Sequence, residues 1–196
     1  MAQIIFLDNF DSFTYNLVDQ FRSLGHEVTI YRNQIGVERI QASIAEKQNP
    51  ILVLSPGPGK PSDAGCMPEV IQTLKGQVPM LGICLGHQAI VESYGGIVAG
   101  AGEIVHGKTS IMTHTGHRIF NDLPETFAIA RYHSLVATKL SDTLELIAEV
   151  DKLPMAVINE NDKICGFQFH PESLMTTYGA TLLQNAIDWA LDKPSN

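Results

Sequence analysis

Met80-Leu81-Gly82-Ile83-Cys84-Leu85-Gly86-His87-Gln88 is the stretch on which the fold turns. An apolar run, Met80 to Ile83, meets the spacing Gly-x-Cys-x-Gly, and a helical pattern from His87 to Tyr94 begins at once. Strand, tight turn and helix in that order form a nucleophile elbow, here with Cys in place of Ser. A nucleophile on such a turn needs small neighbours two residues away on each side, and Gly82 and Gly86 supply that room. A helix N-terminus behind Cys84 favours the thiolate, and the Leu85 amide can point at a developing oxyanion. The plainer reading is a buried Cys in a Gly-rich turn; placement at a strand–helix junction weighs against it.

Upstream of the elbow, strand and helix signals alternate. Ile4 to Asp8 is a short apolar run, and Phe13, Leu17, Phe21 and Leu24 recur at helical spacing before Gly25. Val28 to Tyr31 has strand composition, Val37, Ile40 and Ile44 mark a helix ended by Asn49-Pro50, and Ile51 to Leu54 is a buried strand. Pro68 suits the first turn of a further helix that Gly76 closes, and Gly95-Gly96 ends the helix after the elbow. This alternation, with strands written as continuous apolar runs, predicts an α/β fold: an open, mostly parallel twisted sheet with helices on both faces.

From Ile97 the texture changes. Strand-like pieces around Ser110 to Met112, Phe127 to Ile129, Leu144 to Ile147, Met155 to Ile158 and Cys165 to Phe169 predict a smaller antiparallel or mixed extension. A last helix carries Leu182, Leu183, Ala186, Ile187, Ala190 and Leu191, with Pro194 beyond its end. Without a linker, repeat or low-complexity stretch, residues 1–196 are expected to form a single domain.

Composition narrows the function classes. Apolar residues are 44% and charged residues 17%, which excludes intrinsic disorder. A chain of this size buries about 70% of its unfolded surface, enough for a full core without staples. The 13 Lys+Arg against 21 Asp+Glu leave a net charge of −8, with no basic run, so neither nucleic acid nor a membrane surface is an expected partner. No basic, apolar leader opens the chain and no apolar run is long enough to span a bilayer. Three cysteines, Cys66, Cys84 and Cys165, make neither a disulfide framework nor a CxxC pattern, so a reducing, cytoplasmic location is expected.

A thiol nucleophile needs a base. Of seven histidines, His170 stands out, because it ends the run Ile164-Cys165-Gly166-Phe167-Gln168-Phe169 and precedes Pro171-Glu172. Strand alternation puts Cys165, Phe167 and Phe169 on one face and Gly166, Gln168 and His170 on the other. Pro171 holds His170 extended, so His170 and Glu172 project to one side and the carboxylate can orient the imidazole. That is nucleophile, base and orienter in the chain order Cys84, His170, Glu172. A turn with a capping Glu is the plainer reading of His-Pro-Glu alone.

The remaining signals are weaker. Ser55-Pro56-Gly57-Pro58-Gly59-Lys60-Pro61 is a stiff loop of bare backbone after a buried strand, able to present N–H groups to a ligand but lacking the Walker A spacing. His114, His117 and His133 do not have metal-site spacing, and no metal site is expected. Cys66 and Cys165 lack an elbow, and Asp11 or Ser12 is expected to cap the first helix.

With these motifs in hand the chain resembles the class I, triad-type glutamine amidotransferases over essentially its whole length. Leu7 to Thr14, Ser55 to Gly59, Gly82 to Gln88, His106-Gly107-Lys108, Arg131-Tyr132-His133-Ser134-Leu135 and Gly166 to Glu172 stand in the family's order. Within the family, Arg32-Asn33-Gln34-Ile35 and Pro61 to Glu69 look like the branch of glutaminase subunits that serve anthranilate synthases. The branch serving aminodeoxychorismate synthases is the alternative. A cysteine peptidase of similar fold is the rival from another class, against which Gly86-His87-Gln88 and the Pro-Gly loop favour glutamine.

The resemblance implies that Cys84 attacks the carboxamide of L-glutamine, His170 moves protons and Glu172 orients it. It implies an oxyanion between the amides of Leu85 and Gly57. Gly57, Pro58, Gly59, Leu85, Gln88, Ser134 and Leu135 would then hold glutamine. Ammonia would pass to a separate chorismate-binding synthase chain, anthranilate synthase component I. Magnesium and chorismate would belong to that partner, with no cofactor in this chain.

Overall fold

The structure, a computed structural model, describes residues 1–102 and 106–192. The first half runs β1 (Gln3–Asp8), α1 (Thr14–Ser23), β2 (Glu27–Arg32), α2 (Val37–Ala45), β3 (Pro50–Leu54), α3 (Met67–Leu74), β4 (Met80–Ile83) and α4 (Leu85–Ser93). The second half adds β5 (Ile97–Gly100), β6 (Lys108–His114), β7 (Thr126–Arg131), β8 (Leu135–Lys139), β9 (Glu145–Val150), β10 (Leu153–Asn159), β11 (Ile164–Phe167) and α5 (Gly179–Leu191). Pro194, expected beyond the last helix, lies outside the described residues.

The main sheet has nine strands in the order β2-β1-β3-β4-β11-β10-β9-β6-β7. From β2 through β11 each pairing is parallel. From β11 outward, β10, β9, β6 and β7 pair antiparallel. The extension therefore prolongs the parallel sheet instead of standing apart from it, and β5 and β8 form a separate two-stranded antiparallel sheet.

Period-two alternation assigns the two cores. In β1, Ile4 and Phe6 face the core that also takes Leu17, Val18 and Phe21 of α1 and Leu182, Leu183 and Ile187 of α5. Ile5 and Leu7 face the opposite core, with Val37 and Ile40 of α2, Val70 and Ile71 of α3, and Ile90 and Val91 of α4. Helices thus cover both faces, as the unbroken apolar strands require. α4 is buried at every position from Leu85 to Val91, which is why it carries no charged residue until Glu92.

Several local expectations shift. α4 begins at Leu85, two residues before the helical pattern expected at His87, because Cys84 is already its N-cap. β11 stops at Phe167, so Gln168 to His170 follow the strand instead of completing it. α2 ends at Ala45, ahead of Asn49-Pro50. Neither Asp11 nor Ser12 is the cap of α1: Phe13 holds that position without a side-chain bond, while the Asp11 carboxylate accepts the Phe13 amide at 2.7 Å. β5 and β8 are not expected from the sequence; β5 is only four residues long, exposed at both ends and half-buried between, and so shows no hydrophobic period.

In the order β1-β3-β4-β11 the carboxyl ends of neighbouring parallel strands lead directly to Asn9, Ser55, Cys84 and Gln168. Open α/β sheets bind ligands at such an end.

Candidate active site

Cys84 sits at φ 51, ψ −102 and is 7% exposed. A non-glycine residue there costs of order 1–3 kcal/mol and persists only where its surroundings over-determine it. Its amide donates to Phe167 O at 2.8 Å, and its carbonyl accepts the Gln88 amide at 3.0 Å. The flanking glycines are explained by contact. A Cβ on Gly82 would lie 2.6 Å from the Gly86 carbonyl group, and one on Gly86 would lie 2.3 Å from Leu54 O. Any larger residue at either position would push strand and helix apart and move the thiol.

His170 reaches the same place from the end of β11. Its amide donates to Ala130 O at 3.0 Å and its carbonyl accepts Thr176 Oγ1 at 2.7 Å, which pins the backbone on both sides. Nδ1 and Glu172 Oε1 are 2.6 Å apart, with both side chains almost wholly buried. The rings of Phe13 and Tyr132 each pack 5.2 Å from the imidazole. Burial alone would push the His170 proton off, but the Cys84 sulfur and the Glu172 carboxylate outweigh it and raise the group to about 10. Glu172 holds Nδ1, so Nε2 is the nitrogen left to exchange a proton with sulfur.

Two cavities meet at Cys84. The smaller, about 170 Å³, is lined by Gly57, Pro58, Gly59, Gln88, Ser134 and Leu135 together with Cys84, Tyr132 and His133. Every residue the sequence suggested for holding glutamine lines it except Leu85, whose side chain is buried in the core and which leaves only its amide for the site. Gln88 Nε2 donates to Leu135 O at 3.0 Å and to Gln168 Oε1 at 3.2 Å, and Gln168 Nε2 lies 3.8 Å from Cys84 Sγ. The larger cavity, about 310 Å³, is lined by Asp11, Ser12, Phe13, His106 and His170 in addition to Gly57 and Tyr132. Burial raises the Asp11 carboxyl above its ordinary value.

Of the other histidines, His106 and His133 line the two cavities, and His26, His87, His114 and His117 line neither. His133 Nε2 accepts from Arg131 Nε at 3.1 Å and its Nδ1 is 3.1 Å from Leu135 O. Burial and then the Arg131 charge lower it to about 4, so it is a neutral ring with both nitrogens occupied. His87, wholly buried beneath the elbow, is lowered by burial to about 3. His114 stacks on Phe120 at 4.2 Å, and His117 Nε2 meets Glu160 Oε1 at 2.7 Å, so neither shares a site with His133. Cys165 lies in the core with Phe167 and Phe169, its thiol raised by burial.

Sequence reasoning assigns no role to Gln168, Tyr132 or Phe13. Strand alternation puts Gln168 on the His170 side, a signal sufficient to find it. Tyr132 and Phe13 reach His170 from separate parts of the chain, and no local pattern reports that.

Comparison with known proteins gives the family. The glutamine amidotransferase class-I family model matches residues 5–189. The chain is similar to anthranilate synthase component 2 of Vibrio parahaemolyticus, 70% identical over 98% of each chain. It is also similar to anthranilate synthase component 2 of Haemophilus influenzae, 50% identical over 98% of this chain and 100% of that one. Among solved structures it resembles a candidate GMP synthase protein from Thermoplasma acidophilum. The TM-score is 0.84 at 26% identity, over 97% of this chain and 94% of the other.

Proposed function

The chain belongs to the class I glutamine amidotransferases, and on that premise we propose that it is the glutamine-hydrolysing subunit of an anthranilate synthase, acting in tryptophan biosynthesis. Cys84 Sγ attacks the side-chain carbonyl carbon of L-glutamine. The oxyanion that forms is received by the amides of Leu85 and Gly57. His170, protonated at Nε2, gives its proton to the departing nitrogen, and the C–N bond breaks to leave ammonia and a γ-glutamyl thioester on Cys84. Neutral His170 then takes a proton from water, hydroxide adds to the thioester carbon, and collapse releases glutamate and the thiolate. Glu172 fixes the imidazole and stabilises its cation throughout. Gln88 and the Ser134-Leu135 backbone hold the rest of the glutamine.

The observation that carries this reading is the strained Cys84 at the junction of two cavities, with a buried His170–Glu172 pair 2.6 Å apart on one side. The named relatives favour anthranilate over aminodeoxychorismate as the product of the complex. The ammonia goes to a separate chorismate-using synthase chain, which carries the magnesium and the chorismate, while this chain works without a cofactor in the cytoplasm. Among the described residues no helix is long and apolar enough to cross a membrane. Phe10, 46% exposed, precedes Asp11 at the larger cavity, and Leu174, fully exposed, follows the His170–Glu172 turn; both suit a protein partner on that face.

The test is chemical and genetic. A glutamine-analogue alkylator adds one label, at Cys84. Cys84→Ser in complex with the synthase chain loses anthranilate formation from glutamine and keeps it from added ammonia. Labelling at Cys66 or Cys165 with Cys84 untouched would refute the assignment, and aminodeoxychorismate as the product would move the chain to the other branch.

A further inference from the structure

Asn9, the first residue after β1, is 2% exposed, and both polar atoms of its side chain are bonded. Nδ2 donates to Ser55 O at 2.9 Å and approaches Met67 Sδ at 3.2 Å, while Oδ1 accepts from Asn33 Nδ2 at 3.0 Å. The Asn9 amide donates to Ser55 Oγ at 2.8 Å, and that hydroxyl donates on to Pro56 O at 2.7 Å. Asn9 therefore grips both ends of Ser55, the residue where β3 turns into the Pro-Gly loop.

Its grip extends to Gly57. A Cβ on Gly57 would lie 2.6 Å from Asn9 Cβ, 2.9 Å from Asn9 O and 2.8 Å from Leu85 Cδ2. The Gly57 backbone is thus pinched between Asn9 and the residue that follows the nucleophile. No hydrogen bond involves the Gly57 amide among the described residues, so contact and the Ser55 anchor set where it points. Leu85 opens α4, and amides in a first helical turn have no partner within the helix.

We propose that Asn9 is a positioning residue for the reaction: it holds the Gly57 backbone against Leu85 so that their two amides converge on one oxyanion. This rests on the reading of Gly57 and Leu85 as the oxyanion donors. Asn9 itself touches neither glutamine nor sulfur. A strut of this kind matters only when negative charge develops on oxygen, so its loss weakens the transition state more than the bound substrate.

The test is Asn9→Ala in the full chain, which keeps the Cβ and backbone contacts of Asn9 and removes its carboxamide bonds to Ser55 O and Asn33, assayed for glutamate release in complex with the synthase chain. The expected result is a fall in kcat of about 10- to 100-fold with KM changed less than about threefold, since misplacing one oxyanion donor costs up to the loss of that donor. Carboxamidomethylation of Cys84 by iodoacetamide, a displacement that forms no oxyanion, keeps its parental rate. If Asn9→Ala fails to fold, Asn33→Ala carries the test, because it removes the donor to Asn9 Oδ1 and leaves both the Ser55 bonds and the Gly57 contact in place; the same split between kcat and KM, at the low end of that range, is expected. A kcat within about twofold of the parent, or an equal loss in iodoacetamide reactivity, overturns the proposal. Parent complex that releases no glutamate from glutamine would instead overturn the underlying function.

Discussion

On one side of Cys84 the cavity of about 170 Å³ is walled mostly by backbone and carboxamide, Gly57 to Gly59, Gln88 and Ser134-Leu135, together with the Tyr132 and His133 rings. On the other side, about 310 Å³ is walled by Asp11, Phe13, His106, Tyr132 and His170, groups that ionise or stack. One histidine on each side is strongly shifted, and the two shifts run in opposite directions. His133 is driven neutral by burial and Arg131, whereas His170 is held cationic by Cys84 and Glu172 despite its burial. The difference separates two tasks. Fixed neutral dipoles suit an uncharged carboxamide, and a poised imidazolium suits a nitrogen that must leave with a proton. The thiol stands where the two chemistries meet.

Removing the charged histidine breaks the comparison most severely. His170→Ala is expected to cut glutamine-dependent kcat roughly ten-thousand-fold, close to the Cys84→Ser level, because members of such a unit do not contribute additively. Ammonia-dependent synthesis by the complex stays unchanged. Near-parental glutamine-dependent turnover would show that another group is the base; His133, neutral and with both nitrogens occupied, is disfavoured for that role.

Glu172→Gln is expected to do less. It keeps the shape of the pair and removes its charge, so it should retain at least about tenfold more activity than His170→Ala, or ~1.4 kcal/mol of transition-state stabilisation. The comparison of kcat/KM for the two variants decides it, and equal losses would make Glu172 more than an orienter.

On the small-cavity side the effect should fall on binding. Gln88→Ala is expected to raise KM for glutamine about tenfold while kcat changes less than about threefold. A drop in kcat at constant KM would show that the small cavity also serves the chemical step, which erases the division of tasks.

The smallest effect is on stability. The His133 value falls from 6.5 to about 4 on folding, so the unfolded chain binds that proton more tightly. Its contribution is present above pH 6.5, and is lost as pH falls from there towards about 4. At pH 6 the loss is about 1 kcal/mol. His170 has the opposite sign: its contribution is full below 6.5 and is lost as pH rises through about 10. Denaturant midpoints of the parent and His133→Gln across pH 5 to 8 check the first. An acid slope unchanged by the substitution would mean that His133 is not buried neutral.

The parallel half of the fold is legible because strands buried on both faces must be apolar throughout, and α1, α3 and α4 each end two residues before a Gly. Cys84, His170 and Glu172 are legible because an elbow and a His-Pro-Glu turn are local. What is not legible depends on contacts far apart in sequence. Phe13 and Tyr132 frame His170 from separate loops, and Asn9 looks like an ordinary turn residue until Ser55 and Gly57 are beside it. β8 escapes notice for a related reason: its burial falls on the adjacent Val136 and Ala137, so Leu135 to Lys139 shows no two-residue alternation, and it pairs only with the short β5.

The central position of β4 has a consequence for hydrogen exchange. β4 is bonded to β3 on one side and β11 on the other, and the Cys84 amide closes on Phe167 O. Amides so placed exchange only when the whole domain opens, whereas those of the Pro-Gly loop and of Phe10 to Ser12 exchange through local fluctuation. The slowest-exchanging amides should therefore cluster directly beneath the thiol, and the fastest around the rims of its two cavities. A partner that retunes the enzyme can do so only through the rims, since reaching the thiol through the strand beneath it would cost the full free energy of unfolding.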